Sequence, residues 1–256
     1  MQISVLASGS KGNCTLIRDD DTAVLIDAGI SARRIQQKLS ELHLDIRDIS
    51  SILITHEHID HIRGLKTLSK NYQIPLYAKL NTFKAMPFIR DIPAECCRAL
   101  PDSSFTVGSL TVNSFTVPHD AAEPVGYNIQ TKQGKITLAT DLGFATDAVQ
   151  QALDGSDILV LEANHDINLL QNGSYPWHLK KRILGTRGHL SNEAAGFTLK
   201  NLPHKPQEVI LAHLSEHNNT PQTAVNTIRS IISQQENAAV NLHVASPDKT
   251  LSLNFN

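Results

Sequence analysis

One short segment of the chain concentrates side chains that bind divalent metal ions. The sequence THEHIDHIRGL, residues 55–65, carries His56, His58, Asp60 and His61 within six positions. Imidazole and carboxylate groups are the ligands that borderline divalent ions such as zinc select. A lone histidine is an ordinary core or surface residue more often than a ligand, but four such side chains directly after an apolar strand are hard to explain by chance. The pattern predicts that all four are metal ligands.

Three further candidate ligands stand at the ends of predicted strands. His119 ends FTVPH, Asp141 ends TLATD and His213 ends VILAH. Each also has an ordinary explanation, as a polar loop residue, a helix N-cap and a buried hydrogen-bonded histidine, respectively. Taken with the first segment, they bring the set to five histidines and two aspartates. That set is large enough for two ions that keep an open position for substrate.

The elements that must position these residues follow from apolar periodicity and turn residues. Strands are predicted at residues 2–7, 13–18, 22–27, 51–55, 75–78, 125–131, 135–139, 157–163 and 208–213, with two more between 105 and 119 and a final pair. Helices are predicted at residues 31–43, 62–70, 145–153, 178–184, 191–201 and 221–235. Both halves mix hairpins with helices, which favours an α+β fold in the form of an αββα four-layer sandwich, with two facing mixed sheets and helices outside. We expect a single domain over residues 1–256.

Composition narrows the class of protein. The chain is 41% hydrophobic and 19% charged, which is typical of a globular protein. A formal net charge of −2 argues against a protein that coats nucleic acid with a large basic face, though not against an enzyme with one local basic patch. The three cysteines, Cys14, Cys96 and Cys97, form no CxxC pair. No signal-peptide pattern or long apolar run is present, so we expect a cytoplasmic protein without a membrane span.

The order of the motifs resembles the metallo-β-lactamase superfamily of metal-dependent hydrolases. In that family HxHxDH is followed by a later histidine, an aspartate and a final histidine, as in this chain. The resemblance implies a first ion held by His56, His58 and His119, a second held by Asp60, His61 and His213, and Asp141 as the bridge. The segments ASGSKGN (7–13), ATDLG (139–143), EANHD (162–166), RGHLSN (187–192) and LAHLSEHN (211–218) resemble the YycJ/WalJ group, bacterial exonucleases that act on double-stranded DNA from the 5′ end.

The resemblance also implies catalytic roles. Two ions would generate a hydroxide at neutral pH and stabilise charge on phosphate oxygens. Asp60 would bind a metal and orient the attacking group. His189, with Glu162 as its partner, is the candidate proton donor, because a similar Glu–His pair occurs in tRNA 3′-processing endonucleases. This chain departs from those enzymes in having Leu190 and Ser191 after the histidine. The alternative for His189 is an ordinary residue at a helix start.

A second group of residues is predicted to contact substrate or to orient the ligands. The candidate substrate-binding residues are Ser8, Asn13, Arg182, Arg187 and Ser215. The two arginines belong to a basic stretch, residues 177–189, which is either a phosphate-binding strip or the solvated face of a short helix. The candidates for orienting ligand imidazoles are His165, Asp166, His217 and Asn218. Ser10 is interpreted as a turn residue.

These observations predict a dinuclear metal-dependent phosphodiesterase with a nucleic acid substrate, DNA in particular, and 5′ to 3′ exonuclease activity. Two alternatives stay open: a thioester or small-ester hydrolase of the glyoxalase type, which shares all seven ligands, and a tRNA 3′-processing-like ribonuclease. Histidine and carboxylate ligands without thiolate suit zinc, and manganese is compatible with the same set. The choice of DNA over RNA and the polarity follow from the resemblance alone.

Overall fold

The computed structural model of the chain describes residues 1–233 and 240–255. The strands of the first sheet are β1 (Gln2–Ala7), β2 (Cys14–Asp19), β3 (Thr22–Ile26), β4 (Ile49–Leu53), β5 (Leu76–Ala78), β6 (Cys97–Ala99) and β14 (Leu251–Asn254). Across this sheet the order is β14-β1-β2-β3-β4-β5-β6. Pairing is antiparallel from β14 to β3 and parallel from β3 to β6.

The second sheet repeats this division into an antiparallel and a parallel half. Its strands are β7 (Phe105–Val107), β8 (Leu110–Thr116), β9 (Val125–Gln130), β10 (Lys135–Ala139), β11 (Ile158–Glu162), β12 (Glu208–Ala212) and β13 (Asn241–Val244). The order is β13-β12-β11-β10-β9-β8-β7. The pairs from β7 to β10 are antiparallel and those from β10 to β13 are parallel. Parallel pairs need crossover connections, and helices supply several of them.

The described residues form nine α-helices, several of which begin at polar caps. They are α1 (Ala32–Glu41), α2 (Ile59–Ile62), α3 (Leu65–Tyr72), α4 (Leu80–Ala85), α5 (Asp147–Leu153), α6 (Ile167–Asn172), α7 (Trp177–Ile183), α8 (Asn192–Asn201) and α9 (Pro221–Ile232). The side chains of Ser31, Thr146, Ser191 and Thr220 accept hydrogen bonds from the first turns of α1, α5, α8 and α9. Such caps satisfy backbone N–H groups that have no partner within a helix.

Alternating side chains on the strands build three buried layers. On β3, Val24 and Ile26 pack between the two sheets, whereas Leu25 packs on the opposite face under α1 and α3. On β12, Ile210 faces the other sheet and Leu211 lies under α8 and α9. Because successive side chains of a strand point to opposite faces, each sheet buries one face against its partner and one against helices. The predicted αββα sandwich of two mixed sheets is confirmed.

The structure differs from the predicted elements in a few places. The short β6, α4 and α6 have only three to six residues each and were not expected, since so few residues carry little periodicity. The helix predicted at 62–70 is two helices, α2 and α3, separated near Gly64. The last two strands do not pair with each other: β13 joins the second sheet and β14 the first. Part of the helix predicted at 221–235 lies outside the described residues. The single domain stays a prediction.

Candidate metal centre and active site

The seven candidate ligands meet where strand ends of the two sheets come together. Each lies in the segment after β4, β8, β10 or β12, in a loop or, for Asp60 and His61, in α2, so the ligands share one edge of the sandwich. One group, with ligand atoms within 4.8 Å of one another, is His56, His58 and His119. Further groups within the same limit are Asp60, His61 and His213, and His56, His61 and Asp141. Asp141 therefore shares neighbours with both sets.

In the first group, a protein group contacts Nδ1 of two of the three histidines. Nδ1 of His56 lies 3.0 Å from the hydroxyl of Thr55, and Nδ1 of His119 lies 3.0 Å from the carbonyl of Gly188. The buried Nε2 of His56 has no hydrogen-bond partner among the described residues. Nε2 of His119 faces Nδ1 of His58 at 3.3 Å. Ring nitrogens that converge in this way are suited to a cation.

Asp27 supports the second group of candidate ligands through contacts with His61 and Thr55. Its Oδ2 lies 2.7 Å from Nδ1 of His61 and accepts a hydrogen bond of 2.8 Å from the hydroxyl of Thr55. Its Oδ1 accepts from the backbone N–H of Thr55 at 2.8 Å. Through Thr55, Asp27 also supports His56. Asp27 was not among the predicted site residues, although it ends the strand TAVLID just as Asp141 ends TLATD.

Glu162 orients two histidines at once. Its Oε1 lies 2.8 Å from Nδ1 of His189 and 2.9 Å from Nδ1 of His213. Its Oε2 accepts hydrogen bonds of 3.0 Å from the backbone N–H groups of Leu142 and Leu190. Burial disfavours the charged carboxylate, but the His189 charge and hydrogen bonds from His189 and His213 outweigh it and lower the pKa of Glu162 to about 2. The expected pairing of Glu162 with His189 is therefore present, and His213 is an additional partner.

Three acidic or imidazole residues of the site adopt left-handed backbone conformations. The φ angles are 61° at Asp27, 58° at Asp141 and 56° at His213. Such angles are uncommon for residues other than glycine and persist where the surroundings hold them. At His213 the backbone N–H donates to Ser8 Oγ at 2.7 Å, and the carbonyl accepts from Asn164 Nδ2 at 2.8 Å. The backbone geometry that aims these side chains is thus fixed by other loops.

Protonation of the cluster shows how strongly it favours positive charge. Burial opposes an imidazolium at His213, but the carboxylates of Asp141, Asp60 and Glu162 raise its pKa to about 10. Burial likewise opposes ionisation of Asp60, and the imidazoles of His213 and His61 outweigh it and lower the pKa of that carboxyl. Oδ2 of Asp141 and Nε2 of His213 are buried without a hydrogen-bond partner among the described residues. The donor set therefore fits bound cations.

A cavity of about 230 Å³ opens beside the candidate ligands. It is lined by His58, Asp60, Asp141, His189 and His213, and further by Ser10, Asn164, Tyr175, Leu179, Arg182, Ile183 and Ser215. Of the residues predicted to bind substrate, Arg182 and Ser215 line the cavity. Ser10 was interpreted as a turn residue, and it lines the cavity too.

The other three predicted substrate-binding residues do not line the cavity. Ser8 is buried and accepts the N–H of His213, as described above. Asn13 lies behind the ligands, with its Nδ2 3.1 Å from Nε2 of His61 and 3.4 Å from Oδ2 of Asp60. Arg187 donates from Nε to the carbonyl of His119 at 3.1 Å. The polar groups of Ser8 and Asn13 hold the site together, whereas Arg187 is exposed and uses only its Nε in the hydrogen bond to His119.

Two of the cationic side chains in the basic stretch are used in internal contacts. Lys180 Nζ donates to the carbonyls of Gln171 and Gly173 at 2.8 and 2.7 Å. Arg182 contacts Asp120 through two hydrogen bonds, from Nε at 2.5 Å and from an NH2 group at 3.1 Å. Because a paired guanidinium presents less positive charge to a ligand, this stretch is a weaker phosphate-binding strip than its sequence suggests.

The four residues expected to orient ligand imidazoles have other contacts. Asp166 caps α6 by accepting from Leu169 N at 2.9 Å, His217 packs against the Tyr175 ring, and Asn218 donates to Ser215. His165 is buried with neither ring nitrogen hydrogen-bonded among the described residues. Within the part of the chain that the structure describes, no hydrogen bond joins any of the four to a candidate ligand. The orienting role of these four residues therefore stays a prediction, since proximity in sequence to a motif does not determine which side chains face the ligands.

Comparison with known proteins agrees with this architecture. A family model described as the beta-lactamase superfamily domain matches residues 22–214. The chain is 37% identical over 239 residues to exodeoxyribonuclease YycJ of Bacillus anthracis, covering 92% of this chain and 90% of that protein. It is 35% identical over 238 residues to exodeoxyribonuclease WalJ of Streptococcus pneumoniae, covering 91% and 88%.

A solved structure shows the same fold at lower identity. The metallo-β-lactamase fold protein YhfI from Bacillus subtilis superimposes with a TM-score of 0.74 at 16% identity, covering 98% of this chain and 99% of that one. The superposition and the family match together extend to both sheets and to the loops that carry the histidines. The chain therefore belongs to the metallo-β-lactamase superfamily and is a metal-dependent hydrolase similar to the exodeoxyribonucleases YycJ and WalJ.

Proposed function

We propose that the protein is a dinuclear metal-dependent phosphodiesterase that removes nucleotides from DNA as a 5′ to 3′ exonuclease. The observation that carries the proposal is the His189–Glu162 pair at the cavity beside the candidate ligands, with Nδ1 and Oε1 2.8 Å apart. Relatives named exodeoxyribonucleases support DNA as the substrate. We further propose that the whole chain, residues 1–256, acts as one domain.

The chain offers two sets of residues to hold divalent ions. One ion would be held by His56, His58 and His119, the other by Asp60, His61 and His213, with Asp141 shared between them. Bound ions of this kind supply Lewis acidity, which lowers the pKa of water and stabilises charge on phosphate oxygens. The ligands are imidazole and carboxylate, which suits zinc and is compatible with manganese.

The chain's own contribution to bond cleavage is a positioned proton. Glu162 holds Nδ1 of His189, which leaves Nε2 to carry a proton toward the cavity. As the oxygen of a hydroxide forms a new bond to phosphorus, the bond to the leaving oxygen breaks and the leaving alkoxide takes this proton. Glu162, whose pKa is about 2, stays ionised throughout. Asp60 lines the same cavity and would orient the attacking group.

The proton donor separates the candidate reactions. An alkoxide leaving group is strongly basic, and its departure needs a proton. A thiolate is a far weaker base, with an ordinary pKa of about 8.5, and leaves without help. A glyoxalase-type thioester hydrolase therefore has little use for the His189–Glu162 pair. A tRNA 3′-processing-like ribonuclease would use it in the same way as a deoxyribonuclease, so the substrate must be tested directly.

The test compares three substrates with one preparation of protein. Purified protein supplied with zinc or manganese is incubated with 5′-phosphorylated duplex DNA, structured RNA and a glutathione thioester. We expect mononucleotides to be released from the 5′ end of the duplex, faster than any cleavage of RNA. Turnover of the thioester without hydrolysis of either nucleic acid would contradict the proposed function.

A further inference from the structure

We propose that Tyr175 is a stacking platform for the base of the terminal nucleotide, an inference that rests on the proposed function. The lining of the cavity is chemically mixed. The candidate ligands and His189 supply polar and charged groups, whereas Tyr175, Leu179 and Ile183, from α7 and the residues before it, supply aromatic and apolar ones. A ligand that matches both kinds of group carries an anionic group and a flat apolar one. A nucleotide has this chemistry.

The Tyr175 ring is held from outside the cavity. The ring of His217 packs edge-on against it, with centroids 5.7 Å apart and an angle of 69° between the planes. Lys180 Nζ donates to the carbonyls of Gln171 and Gly173, which ties the loop before Tyr175 to α7. A ring that is already fixed loses little conformational freedom when a base stacks on it, so more of the stacking energy is available for binding.

The size of the cavity suits part of one nucleotide and not a longer segment of a strand. Its volume of about 230 Å³ is below the roughly 300–1,000 Å³ of pockets that enclose drug-sized ligands. Ser10 and Ser215, which also line it, offer hydroxyl groups for sugar or phosphate oxygens. Stacking on an aromatic ring tolerates every base because every base has a π-face. Tyr175 would therefore bind the terminal nucleotide whichever base it carries.

Neighbouring Trp177 provides a matched control. It is the single tryptophan of the chain and lies two residues from Tyr175, but its side chain is 68% exposed and does not line the cavity. If any aromatic side chain of this segment could bind the terminal base, Trp177 would contribute as much to binding as Tyr175. If the cavity is the base-binding site, only Tyr175 contributes to recognition of the terminal base.

The experiment removes the base and the ring separately. Two 5′-phosphorylated duplexes differ in one nucleotide, natural or abasic (tetrahydrofuran), at the end from which wild-type protein releases nucleotides. The readout is the ratio of kcat/KM for the natural duplex to that for the abasic duplex. We expect Tyr175→Ala to lower this ratio roughly tenfold or more, the scale of one base–aromatic stack. Tyr175→Phe and Trp177→Ala should keep the wild-type ratio.

Circular dichroism and bound-metal content of each variant exclude misfolding as the cause. A wild-type ratio retained by Tyr175→Ala, with DNA hydrolysis intact, would overturn the stacking role alone. An equal fall in Trp177→Ala would also overturn it, because the effect would then not belong to the cavity. No hydrolysis of DNA by wild-type protein would overturn the proposed function and this inference with it.

Discussion

Each of four buried or nearly buried imidazoles has Nδ1 in contact with a protein group. The partners of His56, His61, His119 and His213 are Thr55, Asp27, the Gly188 carbonyl and Glu162, in that order. Such contacts fix the ring orientation and the tautomer, and they leave Nε2 for a metal ion. The ring nitrogen that is offered to a metal ion is therefore determined by the groups that contact Nδ1 as much as by the histidines themselves.

Asp60 is the residue whose loss should be most damaging to turnover. Its Oδ2 lies 3.5 Å from Nε2 of both His61 and His213, and it lines the cavity. We expect Asp60→Ala to abolish DNA hydrolysis while the fold is kept, because this side chain belongs to the site and not to an apolar core. Hydrolysis assays and circular dichroism check both points. Asp102→Ala, which removes an exposed carboxylate paired with Lys79, should leave turnover unchanged. Undiminished hydrolysis by Asp60→Ala would contradict its proposed role.

The proton donor can be tested by changing the leaving group. We expect His189→Gln to lower kcat on DNA by roughly 10²–10⁴-fold, the usual contribution of general acid catalysis. On a p-nitrophenyl phosphodiester the loss should be much smaller, because p-nitrophenolate leaves without a proton. The measurement is kcat for both substrates. His178→Gln, at an exposed position of α7, is the matched control and should change neither. Equal losses on both substrates would show that His189 does not protonate the leaving group.

At the scale of elements, the loops that carry the ligands are hydrogen-bonded to one another. Asn13 N donates to the carbonyl of Asp60, and Gly29 N donates to the carbonyl of Asn13, both at 2.8 Å. Ala28 N donates to the carbonyl of His61 at 2.8 Å. The loops after β1 and β3 thus support the loop after β4. A substitution in one of these loops should therefore shift ligands that another segment carries.

Among these segments, the backbone packs most closely around Gly29. A Cβ atom added there would lie 1.6 Å from the carbonyl oxygen of Asp60 and 2.6 Å from the backbone nitrogen of Asn13. Because these are backbone atoms, the loop carrying Asp60 and His61 must shift. We expect Gly29→Ala to weaken metal binding at least roughly tenfold, as loss of ligand support does elsewhere. Titration of metal-free protein with zinc measures this. Gly185→Ala, whose Cβ would meet nothing closer than 3.3 Å, should bind zinc like the wild type.

At the scale of the whole molecule, the two sheets meet at the site. The buried hydroxyl of Tyr127 on β9 donates to the carbonyl of Ile54, just after β4, at 2.7 Å. Val125 N donates to the carbonyl of Thr55 at 3.1 Å. These bonds join the second sheet to the strand end that precedes His56. Ions bound there would bridge residues from both halves, so their removal should affect global stability.

Metal removal should therefore lower the melting temperature. Ions that bind only the folded state stabilise it by about 2.7 kcal/mol at a free concentration of 100 Kd. For a chain of this length that corresponds to roughly 5–10 °C. Thermal melts followed by circular dichroism, with and without chelator, measure the shift, and added zinc should reverse it. The chelator should have a smaller effect on Asp60→Ala. Identical melting temperatures with and without metal would contradict a dinuclear site.

Local sequence patterns were enough to predict much of the fold and of the candidate site. Apolar runs ended by His or Asp located the strands and, with them, the seven candidate ligands that the structure brings together. The alternation of strands and helices predicted the αββα sandwich, because a sheet face that is apolar must be covered by another layer. The short β6 and α6 escaped prediction because neither has a periodic apolar pattern over its few residues.

The sequence by itself determined which side chains can bind metal and which strand ends carry them, since both depend on residue type and short-range spacing. Only the tertiary structure decided which other residues contact these side chains. Asp27 and His61 are 34 residues apart, Glu162 and His213 are 51, and Ser8 and His213 are 205. Whether Ser8 or Ser10 faces the cavity depends on how separate loops pack. A hydrogen bond between distant loops depends on side-chain direction and register, and neither is encoded in the spacing of residues along one segment.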